Sequence, residues 1–222
     1  MRSFDEILAI SAARKGGAEK VLAGAMMPKS ASELAQIPAD RWLAQMARGI
    51  FQAGISWQVV EAKWPGIAAA FQDFAIGPNS MMDDASFDAL LADPRVIRSG
   101  AKIAAIRDNA AFIRREEEAG GFARRIADWP GDDFAGLLDW LSKNGSRLGG
   151  NTGAYMLRQM GRDGYLLSKD VVARLVAEGV IAGAPSSRKA MAAVQAAFNQ
   201  WQAQSGQSLN AISRVLAQSI DG

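Results

Sequence analysis

The chain has 222 residues, 25 Lys and Arg against 23 Asp and Glu, and a formal net charge of +2, with neither Cys nor His. Hydrophobic residues make up 49%, which supplies a sizeable core and excludes a globally disordered chain. The missing Cys and His exclude disulfides, zinc sites of the usual ligand types, Cys nucleophiles and His acid–base chemistry, so proton transfer falls to carboxylates, Lys, Tyr or water.

In chain order, residues 3 to 23 carry helical spacing (Ile7, Leu8, Ile10, then Val21, Leu22), broken at Gly16-Gly17. Ser30 with Glu33 has the spacing of a capping box, and Asp40 after Pro38 is a candidate N-cap for a helix bearing Leu43, Met46, Ala47, Ile50 and Phe51. That pattern runs into Gln52-Ala53-Gly54-Ile55-Ser56-Trp57. A short helix after Trp57 should stop before Pro65, another should run from Gly66 to Phe74, and Gly77-Pro78-Asn79-Ser80 reads as a loop. Asp83 or Asp84 should start a helix that Pro94 ends. Ala101 to Glu117 is a long helix with Ile103, Ile106, Ala110 and Ile113 on one stripe, closed by Gly120-Gly121. Helices are expected over Asp132/Asp133–Lys143 and Ala154–Met160. Ser168, Ser186/Ser187 and Ser208 are candidate caps for three more. No alternating β-branched run with hairpin turns is found, so the fold class is all-α.

Charge is unevenly spread. Phe71 to Pro94 holds five Asp and no Lys or Arg. Arg95 to Arg125 holds eight basic residues against four acids, and Lys143 to Arg174 six against two. Clustered basic charge is either a solvated face or a footprint for phosphate. No apolar run reaches the length of a membrane span and the N-terminus lacks a signal-peptide pattern, so a cytoplasmic protein without membrane contact is expected.

Three stretches carry candidate chemistry. Gly54 permits close backbone approach, and Trp57 just beyond it is either a core residue at a helix end or a stacking surface. Leu148-Gly149-Gly150-Asn151-Thr152, between two helices, is either a plain turn or a device that aims backbone amides at an anion. Asp170, in the first turn of the helix after Ser168, is favoured there by the helix dipole whether or not it has a further role.

Gln52 to Trp57, the aromatics Phe71 and Phe74, Val96-Ile97-Arg98, Lys102-Ile103 and Asn109-Ala110 together resemble the 3-methyladenine DNA glycosylase I family, over roughly residues 40 to 180. The resemblance implies a two-lobed helix-hairpin-helix DNA glycosylase fold over residues 1–222, with the hairpin at about 132–162. It implies a monofunctional enzyme that excises alkylated bases from damaged double-stranded DNA. Phe51, Gln52 and Trp57 would hold the base. Arg98, Lys102, Arg107, Gly149, Gly150 and Thr152 would lie along the DNA. Asp170, eighteen residues past Thr152, falls near the superfamily's catalytic Asp, and Asn151 stands where a bifunctional lyase has its Lys. Arg147 occupies a place that is normally Gly in the hairpin, and Gly49 the neighbourhood of the family's base-reading Glu. The family's Cys/His zinc clamp has no ligands here, so no metal and no cofactor are expected. A monomer is expected. The rival reading is a non-catalytic DNA-binding or damage-recognition module.

Overall fold

The computed structural model describes residues 1–220. Among these, the regular elements are all helical: α1 (Phe4–Lys15), α2 (Ala18–Leu22), α3 (Ala31–Ala35), α4 (Ala39–Gln52), α5 (Trp57–Ala70), α6 (Ile76–Ser80), α7 (Asp84–Ala92), α8 (Gly100–Glu118), α9 (Phe122–Asp128), α10 (Phe134–Asn144), α11 (Asn151–Met160), α12 (Lys169–Ala177), α13 (Arg188–Ser205) and α14 (Leu209–Gln218). Their starts follow from local chemistry. Ser3 and Ser30 form capping boxes with Glu6 and Glu33. Asp83, Ser168, Ser187 and Ser208 each accept an amide of the first turn, satisfying a donor that the helix cannot.

Four boundaries differ from expectation. Pro38 rather than Asp40 occupies the cap position of α4. Pro65 lies inside α5 instead of ending a helix before it. Val60 and Ile67, two turns apart on either side of it, are both fully buried, so shared packing outweighs the roughly 3 kcal/mol that an interior proline costs. The segment around Pro78 is a helical turn, not a loop, because the buried Asn79 side chain donates to the Phe71 and Ala75 carbonyls, both at 2.8 Å. Helix α9 was not foreseen. Its apolar positions, Phe122, Ala123, Ile126 and Ala127, fit one helical face over two turns, too short a run to stand out.

The chain divides into two compact units interleaved in sequence. One comprises residues 1–29, 129–137 and the chain from Gly161 onward. Its core is a run of rings: Phe134 meets Tyr165 edge-on at 4.9 Å, Tyr165 stacks on Phe198 at 4.3 Å, and Phe198 meets Trp201 edge-on at 5.7 Å. Gly164 is required here, since an added Cβ would stand 2.2 Å from the Phe134 ring. Helix α14 packs on α1 and α12.

A buried charge cluster holds this unit's ends. Glu178 accepts from the Arg2 amide and guanidinium, both at 2.8 Å, and from Arg174 at 3.2 Å. Arg174 also donates to the hydroxyl of Ser219, at 2.7 Å, and to its carbonyl. Burial raises the Glu178 pKa, but the Arg2 and Arg174 bonds outweigh it and hold the carboxyl below its ordinary value of 4.5.

The other unit comprises residues 30–128 and 138–160. Helix α4 is its axis, packed on α8 and α11. Trp42 of α4 meets Phe122 edge-on at 5.6 Å, and Phe112 of α8 bridges Phe122 and Trp140. Among the described residues no helix is long and apolar enough to cross a membrane.

A depressed carboxyl contributes stability above its ordinary range and loses it as pH falls through the folded value. Glu178→Gln should therefore destabilise the protein by about 3 kcal/mol at pH 7, the scale for breaking a buried ion pair. Urea unfolding of both proteins should show the gap narrowing as pH falls below 4.5. A gap independent of pH would mean that charge on Glu178 contributes nothing.

Candidate functional site

Helix α4 is stopped by a lysine from another helix. Its last carbonyls lack helical donors, and the Lys102 ammonium of α8 donates to the Phe51 carbonyl at 2.9 Å and to that of Ala53 at 2.7 Å. Lys102 is only 9% exposed. Burial, and secondarily the charge of Arg147, pull its pKa down. The expected place of Lys102 on a phosphate path is thus corrected: it caps α4 from inside the unit.

Beyond this cap the chain turns through Gly54, at φ 78°, and α5 begins at Trp57. The indole is 63% exposed, so it is not the core residue of one reading but an open ring at a helix start. Phe51 is the reverse case. It is fully buried and edge-on to Phe71 at 6.3 Å, so its ring offers no face to a base, a second correction.

Gln52 is half-buried, and its amide donates to Glu61 Oε1 at 3.1 Å. Arg48 Nε lies 3.5 Å from the same oxygen, with its guanidinium 4.3 Å above the Trp64 ring. Trp64 stacks on Phe74, and Phe74 on Phe71. Gln72, Asp73 and Phe74 all have left-handed φ of 50° to 62°, at a cost of about 1–2 kcal/mol each. Arg41 holds the Asp73 carbonyl at 2.8 Å, and the Asn79 bonds hold the turn's flanks. Phe51, Gln52 and Trp57 are the residues expected to hold a base, and the Gln52–Glu61 bond, which crosses the loop between α4 and α5, has no local signal in the sequence.

The turn from α10 to α11 is pinned by Asn109, fully buried on α8. It accepts the Ser146 amide at 2.7 Å and donates to the Ser146 carbonyl at 3.0 Å. Arg147 and Gly150 both take φ 58°. Arg147 thus adopts the glycine-type conformation of the place it occupies. Gly153 is needed because a Cβ there would stand 2.5 Å from the Leu148 carbonyl. The Thr152 methyl would be 3.5 Å from a Cβ on Gly49, so α11 packs on α4 at the point where α4 carries no side chain. Gly149 is half-buried, Gly150 and Arg98 are exposed, and Arg107 lies 3.7 Å from Asp108 with its guanidinium over Phe87.

Asp170 belongs to the other unit, in the first turn of α12. Ser168 already caps that helix, so the partly exposed carboxylate is not needed for the purpose. Asp163, the nearest carboxylate before Asp170 in sequence, is engaged in structure: it accepts the Leu209 and Asn210 amides, both at 3.0 Å, at the start of α14. Among the described residues no group of His, Cys, Asp and Glu could hold a metal ion.

The methyladenine glycosylase family matches residues 40–133. No curated protein matches the chain. Among solved structures, a single-residue variant of 3-methyladenine DNA glycosylase I in complex with 3-methyladenine is similar, at 19% identity and TM-score 0.52 over 66% of this chain and 88% of that one. Staphylococcus aureus 3-methyladenine DNA glycosylase I is similar at 19% identity and TM-score 0.51, over 72% of this chain and 95% of that one. The chain has the all-α fold of these structures. The matched residues 40–133 include Phe51, Gln52, Trp57, Glu61, Arg98, Lys102 and Arg107. The α10–α11 turn and Asp170 lie beyond it.

Capping and exposure predict opposite costs. Lys102→Met strands two carbonyls and should cost about 1–3 kcal/mol, whereas Trp57→Ala at an exposed position should stay within about 0.5 kcal/mol. Urea unfolding decides: equal losses would return the indole to the core.

Proposed function

We propose that the protein is a monofunctional DNA glycosylase that excises alkylated, 3-methyladenine-like bases from duplex DNA in base excision repair. The observation that carries this reading is the open Trp57 ring at the start of α5, just past the Lys102-capped end of α4 and within the residues matched by the methyladenine glycosylase family. A base must leave the stack to be acted on, and an aromatic face is what receives it. Stacking is worth roughly 1–3 kcal/mol per base, comparable to the few kcal/mol that extrusion costs.

The chemistry needs neither metal nor His. An N-alkylated purine in DNA carries positive charge, so when its glycosidic bond breaks the bonding electrons leave with the base and neutralise it. The sugar is left with oxocarbenium character, water adds at C1′, and the water's proton is released. Asp170 is the carboxylate assigned to stabilise that positive sugar or orient the water. Its support is its spacing past Thr152, a first-turn position favoured by the helix dipole, and a side chain that is not needed as the helix cap. Asn151 offers no amine, so no Schiff base forms. Arg98, Arg107 and the Gly149-Gly150 amides are assigned to DNA phosphates, in a helix-hairpin-helix arrangement with the left-handed Arg147 and Gly150.

The second reading, a DNA-binding module without catalysis, is favoured by one observation: α4 carries no carboxylate at Gly49, where Thr152 packs instead.

Duplex DNA treated with a methylating agent tests both. Wild type should release free methylated purines and leave abasic sites, with no borohydride-trapped complex. Asp170→Asn should fold and bind but release neutral bases at least about 100-fold more slowly, the usual scale for losing a preorganised electrostatic group, and cationic bases with a smaller loss. Normal release by Asp170→Asn would remove Asp170 from the chemistry. No release by wild type, with salt-sensitive duplex binding retained, would establish the second reading.

A further inference from the structure

Glu61 stands one helical turn after Trp57, so the carboxylate and the open indole share a face of α5. The carboxylate is fixed rather than mobile: Oε1 accepts the Gln52 amide at 3.1 Å and has Arg48 Nε at 3.5 Å. Both contacts fall on one oxygen, while the side chain remains 36% exposed. Among the described residues no hydrogen bond falls on Oε2. A flat ring laid on Trp57 would therefore meet a preset negative charge at its edge. An aromatic face with an adjacent carboxylate favours a heteroaromatic cation that carries N–H donors, through ring quadrupole and charge-assisted hydrogen bonding together. A neutral ring gains only the stacking.

We propose that Glu61 is the specificity-determining residue of the Trp57 face, selecting positively charged N-alkylated purines over neutral ones. This rests on the glycosylase reading for its biological meaning, and it places the selecting charge on α5, since α4 carries none at Gly49. Arg48 sets the limit of the preference. Its guanidinium is drawn onto Trp64 at 4.3 Å, which keeps it beside Oε1 and offsets part of the Glu61 charge.

The test uses the full chain and two nucleosides, 7-methylguanosine as the cation and guanosine as its neutral counterpart. Binding is followed by NMR through the Trp57 indole N–H, assigned by its loss in Trp57→Ala. Wild type should bind the cation more tightly, by about tenfold, the scale of one charge-assisted contact. Glu61→Gln, which keeps the shape and a partner for Gln52, should bring the two affinities together. Arg48→Gln, which lifts the competing charge, should widen the preference. If Glu61→Gln keeps the full preference, or wild type has none, the proposal is overturned. Nucleoside binding is read without any base release. A chain that prefers the cation yet frees no base from methylated duplex DNA therefore keeps the role of Glu61 and loses the proposed activity. One that frees bases without the preference does the reverse.

Discussion

Everything proposed for Trp57 depends on one buried ammonium. A helix that ends inside a packed unit must find donors for its last carbonyls, and α4 finds them in Lys102, reaching across from α8. Those two bonds fix where α4 stops, and hence where the Gly54 turn begins and where α5 starts. A lysine in that place cannot also reach a phosphate, and its burial lowers its pKa. The same side chain that sequence reading gave to DNA is thus the support of the aromatic face rather than a contact of its own.

Around this support, the unit reserves its strain for the same neighbourhood. Three successive left-handed residues, Gln72 to Phe74, and a left-handed Arg147 are conformations that an ordinary chain avoids. The first carries the ring column Phe71–Phe74–Trp64, on which Arg48 and through it Glu61 are positioned. The second shapes the turn that Asn109 pins from α8. Helix α8 therefore anchors both the end of α4 and the α10–α11 turn, with Lys102 for one and Asn109 for the other, two turns apart on its buried side.

The sequence made some of this legible and hid the rest for physical reasons. Caps such as Ser30 and Ser168 are local, so their helices could be placed. The 3.6-residue stripe of α8 is long, so it could be recognised. The block from Gln52 to Trp57 drew attention to the loop after α4, and the match to the methyladenine glycosylase family includes it. What could not be read were side chains whose role is set by a distant partner. Lys102 and Phe51 look like site residues by position, yet one is a cap and the other is core. Pro65 and Pro78 look like breaks, yet packing of Val60 and Ile67, and the Asn79 bonds, hold helix through both. The pairing of Glu61 with Gln52 could not be read because it crosses a loop whose turn only the fold defines.

On the proposed function, Trp57 receives the extruded base. The most direct measurement is a crystal structure of the full chain with duplex DNA containing an abasic-site analogue, soaked with 3-methyladenine. The free base should stack on the indole at about 3.5–4 Å, the ordinary contact distance of two rings, with its edge towards Glu61. A base bound elsewhere, with the Trp57 ring left in solvent, would contradict it.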